Sequence, residues 1–190
     1  MVQVDLITGF LGAGKTTFLR RYVRYLVAQG HNVCILENDF GAVNVDAMLV
    51  QDLLGPNCDL ETISGGCDCD THQRRMRTKL ISMAMRGFDR VVVEPSGIFD
   101  VDEFFDVLRD EPLDRWYTLG NVFAVVDALL PGTLSPQAEY ILASEAASAG
   151  RILLSRSQLA TQAPAGERHR PPEACPCGLQ VQPHPDGEDF

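Results

Sequence analysis

The sequence predicts an α/β protein of three layers, in which helices cover both faces of a mainly parallel β-sheet. Two observations lead to this prediction. Short apolar stretches bounded by turn residues alternate with longer stretches in which apolar side chains recur every three or four positions. Strands and helices that alternate in this way imply right-handed crossovers, which place helices on both sides of the sheet.

The first half of the chain begins with a strand at residues 2–8, where apolar and β-branched side chains dominate. Residues 15–29 show helical spacing, and the glycine that follows ends the helix. A second strand is predicted at residues 32–36. A polar loop at residues 37–44 and a short strand at residues 59–63 come next.

The second half is predicted to continue this alternation. Helices are expected at residues 73–86, 101–109 and 137–147, where apolar side chains follow helical spacing. Strands are expected at residues 90–93, 121–126 and 151–154. The first two of these strands are too apolar to have one face in water, which favours burial within the sheet.

The character of the chain changes after residue 159. The last thirty residues hold six of the eleven prolines and show almost no periodicity. A segment of this composition does not bury enough apolar surface to order itself. We therefore predict one folded domain over residues 1–159 and a disordered, proline-rich tail over residues 160–190.

Composition excludes several classes of protein. A net charge of −10 argues against a nucleic-acid partner, because nucleic-acid binding depends largely on Lys and Arg. No apolar run reaches the roughly 18 residues of a membrane-spanning helix, and the N-terminus has no secretory pattern. The expected location is the cytoplasm, with no membrane partner. The acidity suits a cation as ligand, or it serves only solubility.

A glycine-rich turn between the first strand and the first helix is predicted to bind phosphate. Residues 9–16, GFLGAGKT, follow the pattern G-x-x-x-x-G-K-[ST]. In such a loop backbone N–H groups and the positive end of the helix dipole face the phosphates. Lys15 reaches the β- and γ-phosphates, and Thr16 ligates Mg²⁺. The residues predicted to bind nucleotide here are Gly9, Gly12, Ala13, Gly14, Lys15, Thr16 and Thr17. The fold class is therefore that of a P-loop NTPase.

A carboxylate at the end of a buried strand is predicted to complete this site. Glu94 is the first polar residue after three valines, at the strand edge where ligands collect in parallel sheets. It is expected to hold the Mg²⁺ shell or to orient the attacking water, and the Gly97 N–H is expected to contact the γ-phosphate. The alternative is that Glu94 is only a strand-terminal loop residue.

Five motifs in order resemble the CobW-like branch of the CobW/HypB/UreG family. They are ITGFLGAGKTT at residues 7–17, NDFG at 38–41 with Asp46, GGCDC at 65–69, EPSG at 94–97 and VVDA at 125–128. The match covers roughly residues 2–160. The resemblance implies a GTPase that couples GTP hydrolysis to delivery of zinc, cobalt or nickel. Its partner would be a client metalloprotein or an enzyme of cofactor biosynthesis.

The resemblance also implies a metal site, although the family's Cys-x-Cys-Cys motif is altered. Cys67 and Cys69 are two residues apart, so in an extended segment their thiolates face the same side. Asp70 is expected to replace the third thiolate, and His72 is close enough to be a fourth ligand. This donor set suits Zn²⁺ or Co²⁺. The alternative is a loop below the nucleotide that holds no metal.

Two further carboxylates and two further cysteines are candidate metal ligands or core residues. Glu37 and Asp46 are either additional ligands or solvated loop carboxylates. Cys34 lies in an apolar stretch and is expected in the core. The environment of Cys58 is left open.

The base-reading motif departs from the family pattern. The family's Asn-Lys-x-Asp should follow the last strand, where this chain has SRSQ at residues 155–158. A charge-assisted bond from guanine to an Asp contributes about 1.5–3 kcal/mol. Gln158 offers only a neutral amide oxygen, and Arg156 is expected to stack on the base. We therefore expect GTP as the nucleotide, with ATP as a weakly discriminated alternative.

The resemblance ends near Leu159, although the family continues into more of the GTPase domain and a C-terminal domain. We therefore expect a truncated relative whose activity is impaired. The tail is either an unselected sequence or a second metal site formed by Cys175, Cys177 and His184.

The expected reaction is in-line attack of water on the γ-phosphate. Lys15 and Thr16-bound Mg²⁺ stabilise the developing charge, and Glu94 or Asp39 positions water or the metal shell. The loop at residues 39–46 is expected to switch with nucleotide and to change the geometry around the cysteines. Two other functions remain open: a non-catalytic module that binds nucleotide or metal, and a small P-loop kinase. The oligomeric state is left open, with a homodimer among the candidates.

Overall fold

The computed structural model describes residues 1–39, 45–64, 69–95, 101–130 and 133–162. The strands in these ranges are β1 (Val2–Thr8), β2 (Val33–Asp39), β3 (Cys58–Ser64), β4 (Arg90–Glu94), β5 (Tyr117–Asp127) and β6 (Arg151–Ser155). The α-helices are α1 (Lys15–Ala28), α2 (Val45–Val50), α3 (Cys69–Arg86), α4 (Val101–Arg109), α5 (Leu113–Trp116), α6 (Pro136–Ser148) and α7 (Ser157–Gln162). A short 3₁₀ helix at Gln51–Leu53 follows α2.

The six strands form one sheet in the order β3-β2-β4-β1-β5-β6, and every neighbouring pair is parallel. Because all strands point the same way, their carboxyl ends meet at one edge. The strand β1 lies inside the sheet, between β4 and β5. Whatever follows β1 therefore lies beside the ends of both neighbouring strands. The predicted α/β class with a mainly parallel sheet is confirmed.

Helices cover both faces of the sheet, as the alternation predicted. On one face, Leu19 and Val23 of α1 pack against the strands together with Val92. On the other face, Val91 and Val93 of the same strand belong to a larger core, which the buried residues of α3, α4 and α6 complete. The alternation of neighbouring valines between the two cores follows from the two-residue period of a strand.

The predicted elements are confirmed with altered ends. The helix α4 has the predicted bounds, whereas α3 and β5 each begin four residues earlier than predicted. The strand β2 continues to Asp39, so residues 37–39 are not loop, as predicted, but strand. The strand is longer because β2 pairs with both β3 and β4. Glu37 lies opposite Thr62 of β3 and opposite Glu94 of β4, so it belongs to the parallel ladders on both sides. The short helices α2, α5 and α7 have only four to six residues, too few to establish helical spacing, and the sequence does not predict them.

A buried carboxylate on β1 forms an ion pair with the neighbouring strand β4, although apolar residues dominate β1. Asp5 is fully buried, and its carboxylate accepts hydrogen bonds from Arg90 at 2.9 Å and from the Tyr22 hydroxyl at 3.0 Å. It also accepts the backbone N–H of Asn121 at 2.6 Å, where two residues of β5 face one residue of β1. Burial and the Asp5 carboxylate raise the pKa of Tyr22 to about 12. The network holds the β1–β5 register just before the glycine-rich turn.

Within the part of the chain that the structure describes, no helix is both long enough and apolar enough to cross a bilayer.

Candidate functional site

The glycine-rich turn runs from the end of β1 into α1 at the carboxyl edge of the sheet. Gly9 has φ +140°, and a Cβ at this position would lie 2.2 Å from the carbonyl oxygen of Val125 on β5. Gly14 caps α1 in the left-handed conformation, with φ +98°. The Ala13 N–H donates to the Phe10 carbonyl at 3.0 Å and closes the turn. Only glycine meets both requirements at residue 9, which are a positive φ and close contact with a neighbouring strand.

Lys15 is held over this turn. It is 7% exposed, and its Nζ donates to the Phe10 carbonyl oxygen at 3.3 Å. A buried ammonium group attracts a bound anion more strongly than a solvated ammonium group does, because the effective dielectric constant is lower in the protein interior. The predicted phosphate-binding lysine therefore lies on the loop that the motif indicated.

Thr16 and Glu94 are brought together from different elements. The Thr16 hydroxyl, in the first turn of α1, donates to Oε1 of Glu94 at 2.8 Å. Glu94 is the last residue of β4 and is 6% exposed. Hydroxyl and carboxylate oxygens are the donors that Mg²⁺ takes from P-loop proteins, so the residues fit the ion that the motif implies. Thr17, the next residue, is exposed at the surface of α1.

A second buried carboxylate lies next to Glu94. Glu37 on β2 is directly opposite Glu94 on β4 in the parallel ladder, and it is only 2% exposed. The interpretation of Glu37 as a solvated loop carboxylate is therefore wrong, because the strand extends past it. Two neighbouring buried carboxylates give the edge a negative field that favours a divalent cation.

Several predicted site residues lie outside the part of the chain that the structure describes. The whole residue lies outside the described part for Gly97, Cys67, Cys175, Cys177 and His184. Only the side chain lies outside it for Asp39, Asp46, Cys69 and Asp70. The backbone nevertheless puts Cys69 and Asp70 in the first turn of α3, directly after β3 and its connecting segment. Among the described residues, no group of three His, Cys, Asp or Glu side chains is arranged to hold a metal ion.

His72 lies one turn further along α3 and is 6% exposed. Its Nδ1 is 4.0 Å from Oε1 of Glu103 on α4, too far for a hydrogen bond. Burial lowers the pKa of His72, although the Glu103 carboxylate acts in the opposite direction. A neutral imidazole is the form in which histidine binds metals. Its role as a fourth ligand stays a prediction.

The two described cysteines away from this segment are structural. Cys34 lies in the core as predicted, and Cys58, whose environment was left open, is also buried. Burial raises the pKa of Cys34 to about 12 and that of Cys58 to about 11. Both are therefore protonated thiols at neutral pH rather than thiolate ligands.

The residues predicted to contact the base begin where β6 ends. Arg156 has a positive φ of 57°, and its guanidinium donates to the Gly12 carbonyl at 3.1 Å and forms an ion pair with Asp127. This contact connects the segment after β6 with the phosphate loop. Gln158 is exposed on α7.

Glu145 is a residue at this site that the sequence analysis missed. It belongs to α6 and is 1% exposed, and its Oε1 accepts the Thr8 hydroxyl at 2.7 Å, directly before Gly9. Burial raises its pKa. One signal was present in the sequence: Glu145 shares the helical spacing of the apolar face formed by Leu142, Ala146 and Ala149. A carboxylate on an apolar helix face is unusual unless it has a partner.

The sequence is similar to that of known proteins over most of its length. The family model described as "CobW/HypB/UreG, nucleotide-binding domain" matches residues 3–172. The zinc chaperone YjiA of Escherichia coli is 33% identical over 172 residues, which cover 85% of this chain and 51% of YjiA. The zinc chaperone CobW of Pseudomonas aeruginosa is 31% identical over 152 residues, which cover 74% of this chain and 40% of the relative.

The structural comparison gives the same fold. The crystal structure of Zn(II)-bound YjiA GTPase from Escherichia coli superposes with a TM-score of 0.54 at 25% identity, covering 83% of this chain and 50% of YjiA. The predicted P-loop NTPase fold class is confirmed. The chain spans about half the length of YjiA and less than half of the Pseudomonas relative.

Proposed function

This chain belongs to the CobW/HypB/UreG family of nucleotide-binding domains, and we propose that it binds and hydrolyses GTP in a cycle coupled to the binding and delivery of zinc. The observation that carries this proposal is the hydrogen bond of 2.8 Å between Thr16 and Glu94, beside the lysine of the phosphate loop. It connects the phosphate loop with the end of β4, the two parts of the proposed Mg²⁺–nucleotide site, from residues 78 positions apart in the sequence.

The chain's own residues supply most of what phosphoryl transfer requires. The turn at residues 9–14 presents backbone N–H groups to the phosphates, and Lys15 neutralises charge that develops on the transferred group. Thr16 and Glu94 would hold Mg²⁺, which supplies positive charge between the phosphates when it is bound. Asp39 and Glu94 are the candidates for orienting the attacking water, and Gly97 for contacting the γ-phosphate.

The proposed metal site belongs to the segment after β3, a strand whose carboxyl end lies at the same edge of the sheet as the glycine-rich turn. Its ligands are Cys67, Cys69 and Asp70, and the buried Glu37 supports it by adding a carboxylate at that edge. Thiolates with oxygen donors suit Zn²⁺, and Co²⁺ is the second candidate. The delivered ion would pass to a client metalloprotein or an enzyme of cofactor biosynthesis in the cytoplasm. A homodimer is the assembly to examine first.

Steady-state phosphate release, measured with and without Zn²⁺, tests the coupling. We expect intrinsic GTP hydrolysis at about 10⁻⁴–10⁻² per second, as for GTPases without a partner. Zn²⁺ should change this rate in the wild type. Cys67→Ser and Cys69→Ser should keep the basal rate and lose the response to Zn²⁺. The matched control is Cys175→Ser with Cys177→Ser in the tail, which should retain the response. A zinc response that survives in Cys67→Ser, Cys69→Ser protein would refute the proposed ligands.

Gln158 offers a test of nucleotide choice. We expect Gln158→Asp to strengthen the preference for GTP over ATP, because a carboxylate accepts two bonds from guanine that a neutral amide oxygen accepts poorly. The gain should be about 1.5–3 kcal/mol, or about 10- to 150-fold in relative affinity. Competition binding with the two nucleotides measures it, and Gln162→Asp at the end of α7 is the control. Equal selectivity in the wild type and Gln158→Asp would remove this role for residue 158.

A further inference from the structure

A buried carboxyl group lies against the strand end that leads into the phosphate loop. Glu145 is 1% exposed, and Thr8, whose hydroxyl donates to its Oε1 at 2.7 Å, is fully buried. Its Oε2 has no hydrogen-bond partner among the residues that the structure describes. One carboxylate oxygen of Glu145 therefore bonds the side chain of the residue that precedes Gly9, and the other is buried next to the start of the phosphate loop, where the Gly9 amide favours its ionised form.

The surroundings of Glu145 disfavour its charge. Burial raises its pKa, and this outweighs the Thr8 hydroxyl, the Lys15 ammonium and the Gly9 amide, which all favour the ionised form. Lys15 is the charged side chain that favours the carboxylate form of Glu145. Among the described residues, α6 packs against β5 and α4, and Glu145 itself contacts Thr8 of β1. The titratable side chains of these three elements are Asp5, Asp102, Glu103, Asp106, Arg109, Tyr117 and Asp127.

We propose that Glu145 is a positioning residue that couples nucleotide binding to the uptake of a proton, so that the phosphate loop binds its ligand more tightly when the carboxyl group is neutral. This inference rests on the proposed function, because it describes the regulation of the same nucleotide site. The proton would lie on Oε2, since Oε1 accepts the Thr8 hydroxyl. Glu145 thus positions the start of the loop in both protonation states. Only its ionised form repels a bound polyanion.

The electrostatic argument has two steps. In the nucleotide-free protein, Lys15 is the cation that stabilises the Glu145 carboxylate. A bound triphosphate would pair with Lys15, so that the Glu145 carboxylate loses its counter-charge. The triphosphate also brings several negative charges into a low-dielectric site, and these repel the carboxylate. Binding therefore raises the proton affinity of Glu145 further. Because binding then takes up a proton, nucleotide affinity falls as pH rises. The fall lies between the pKa of Glu145 in the nucleotide-free protein and its higher pKa in the nucleotide-bound protein.

Isothermal titration with a non-hydrolysable GTP analogue and Mg²⁺, in buffers of different ionisation enthalpy, counts the protons taken up. We expect a net uptake in the wild type at pH values between the pKa of Glu145 in the free protein and its higher pKa in the nucleotide-bound protein. Glu145→Gln should abolish it while keeping the bond to Thr8, and should tighten binding at the alkaline end by about 5-fold or more. Glu139→Gln, an exposed glutamate of α6, is the matched control and should behave as the wild type.

A second variant separates positioning from charge. Glu145→Leu removes both the charge and the hydrogen bond to Thr8, so it should bind nucleotide more weakly than Glu145→Gln at every pH. The proton count of the wild type needs no variant and stands if a variant fails to fold. Uptake that is equal in the wild type and Glu145→Gln would overturn this inference and leave the GTPase proposal standing. Failure of the folded wild-type protein to bind nucleotide would overturn both.

Discussion

Replacing Lys15 by alanine is expected to slow GTP hydrolysis by about 10²–10³-fold and to weaken nucleotide binding. The reason is the position of Lys15, which is 7% exposed and whose Nζ lies 3.3 Å from the Phe10 carbonyl oxygen, above the loop proposed to bind the phosphates. Loss of one such preorganised donor lowers turnover by about 10²–10³-fold in other enzymes. Single-turnover phosphate release and titration with a fluorescent GTP analogue measure the two effects.

The chain contains its own matched control for this substitution. Lys79 is the only other lysine, and it forms a surface ion pair with Glu61 at 2.6 Å. Exposed pairs of this kind contribute about 0–1 kcal/mol, so Lys79→Ala should leave nucleotide binding and turnover unchanged. Lys15→Ala protein that is folded and hydrolyses GTP at the wild-type rate would remove the phosphate site assigned to residues 9–16.

The second large effect is expected at Gly9. In Gly9→Ala the new Cβ would lie 2.2 Å from the Val125 carbonyl oxygen, at a backbone φ of +140° that L-residues rarely adopt. The backbone of β5 has no flexible end that could move away. Conformational strain and overpacking each cost about 1–3 kcal/mol, so we expect the free energy of unfolding to fall by about 2–6 kcal/mol. Nucleotide affinity should fall as well, because the loop begins at this residue.

Chemical denaturation with and without Mg²⁺–GTP measures both consequences of Gly9→Ala. Gly55→Ala is the control, because a Cβ at residue 55 would meet no atom within 4 Å. Its free energy of unfolding should stay within about 0.5 kcal/mol of the wild type. A Gly9→Ala protein as stable as Gly55→Ala would show that β5 yields at Val125, contrary to the packing described above.

The fold was largely predictable because its signals are local. The apolar runs at β1, β4 and β5 and the helical spacing of α1 and α4 follow from two fixed periods, and glycines mark several of the ends. What failed was also local in origin: Glu37 and Asn38 are polar residues, and a single segment does not reveal that β3 and β4 lie on either side of β2. Strand ends depend on neighbours far along the chain.

The candidate site divides in the same way. Gly9, Lys15 and Thr16 could be proposed from the sequence because a phosphate-loop motif is one continuous segment. Glu94 could be proposed because it is the first polar residue after a buried strand. The contacts of Glu145 with Thr8, of Asp5 with Arg90 and of Arg156 with Gly12 join residues 137, 85 and 144 positions apart. No periodicity or spacing encodes such pairs.

By itself the sequence therefore determined the class of fold, the glycine-rich motif proposed to bind phosphate and the order of the family motifs, since each depends on residues adjacent in the chain. Only the tertiary structure decided which carboxylates are buried and what they face. The physical reason is that the free energy of a charge depends on all the atoms around it, and those atoms come together only when the sheet and its helices have packed.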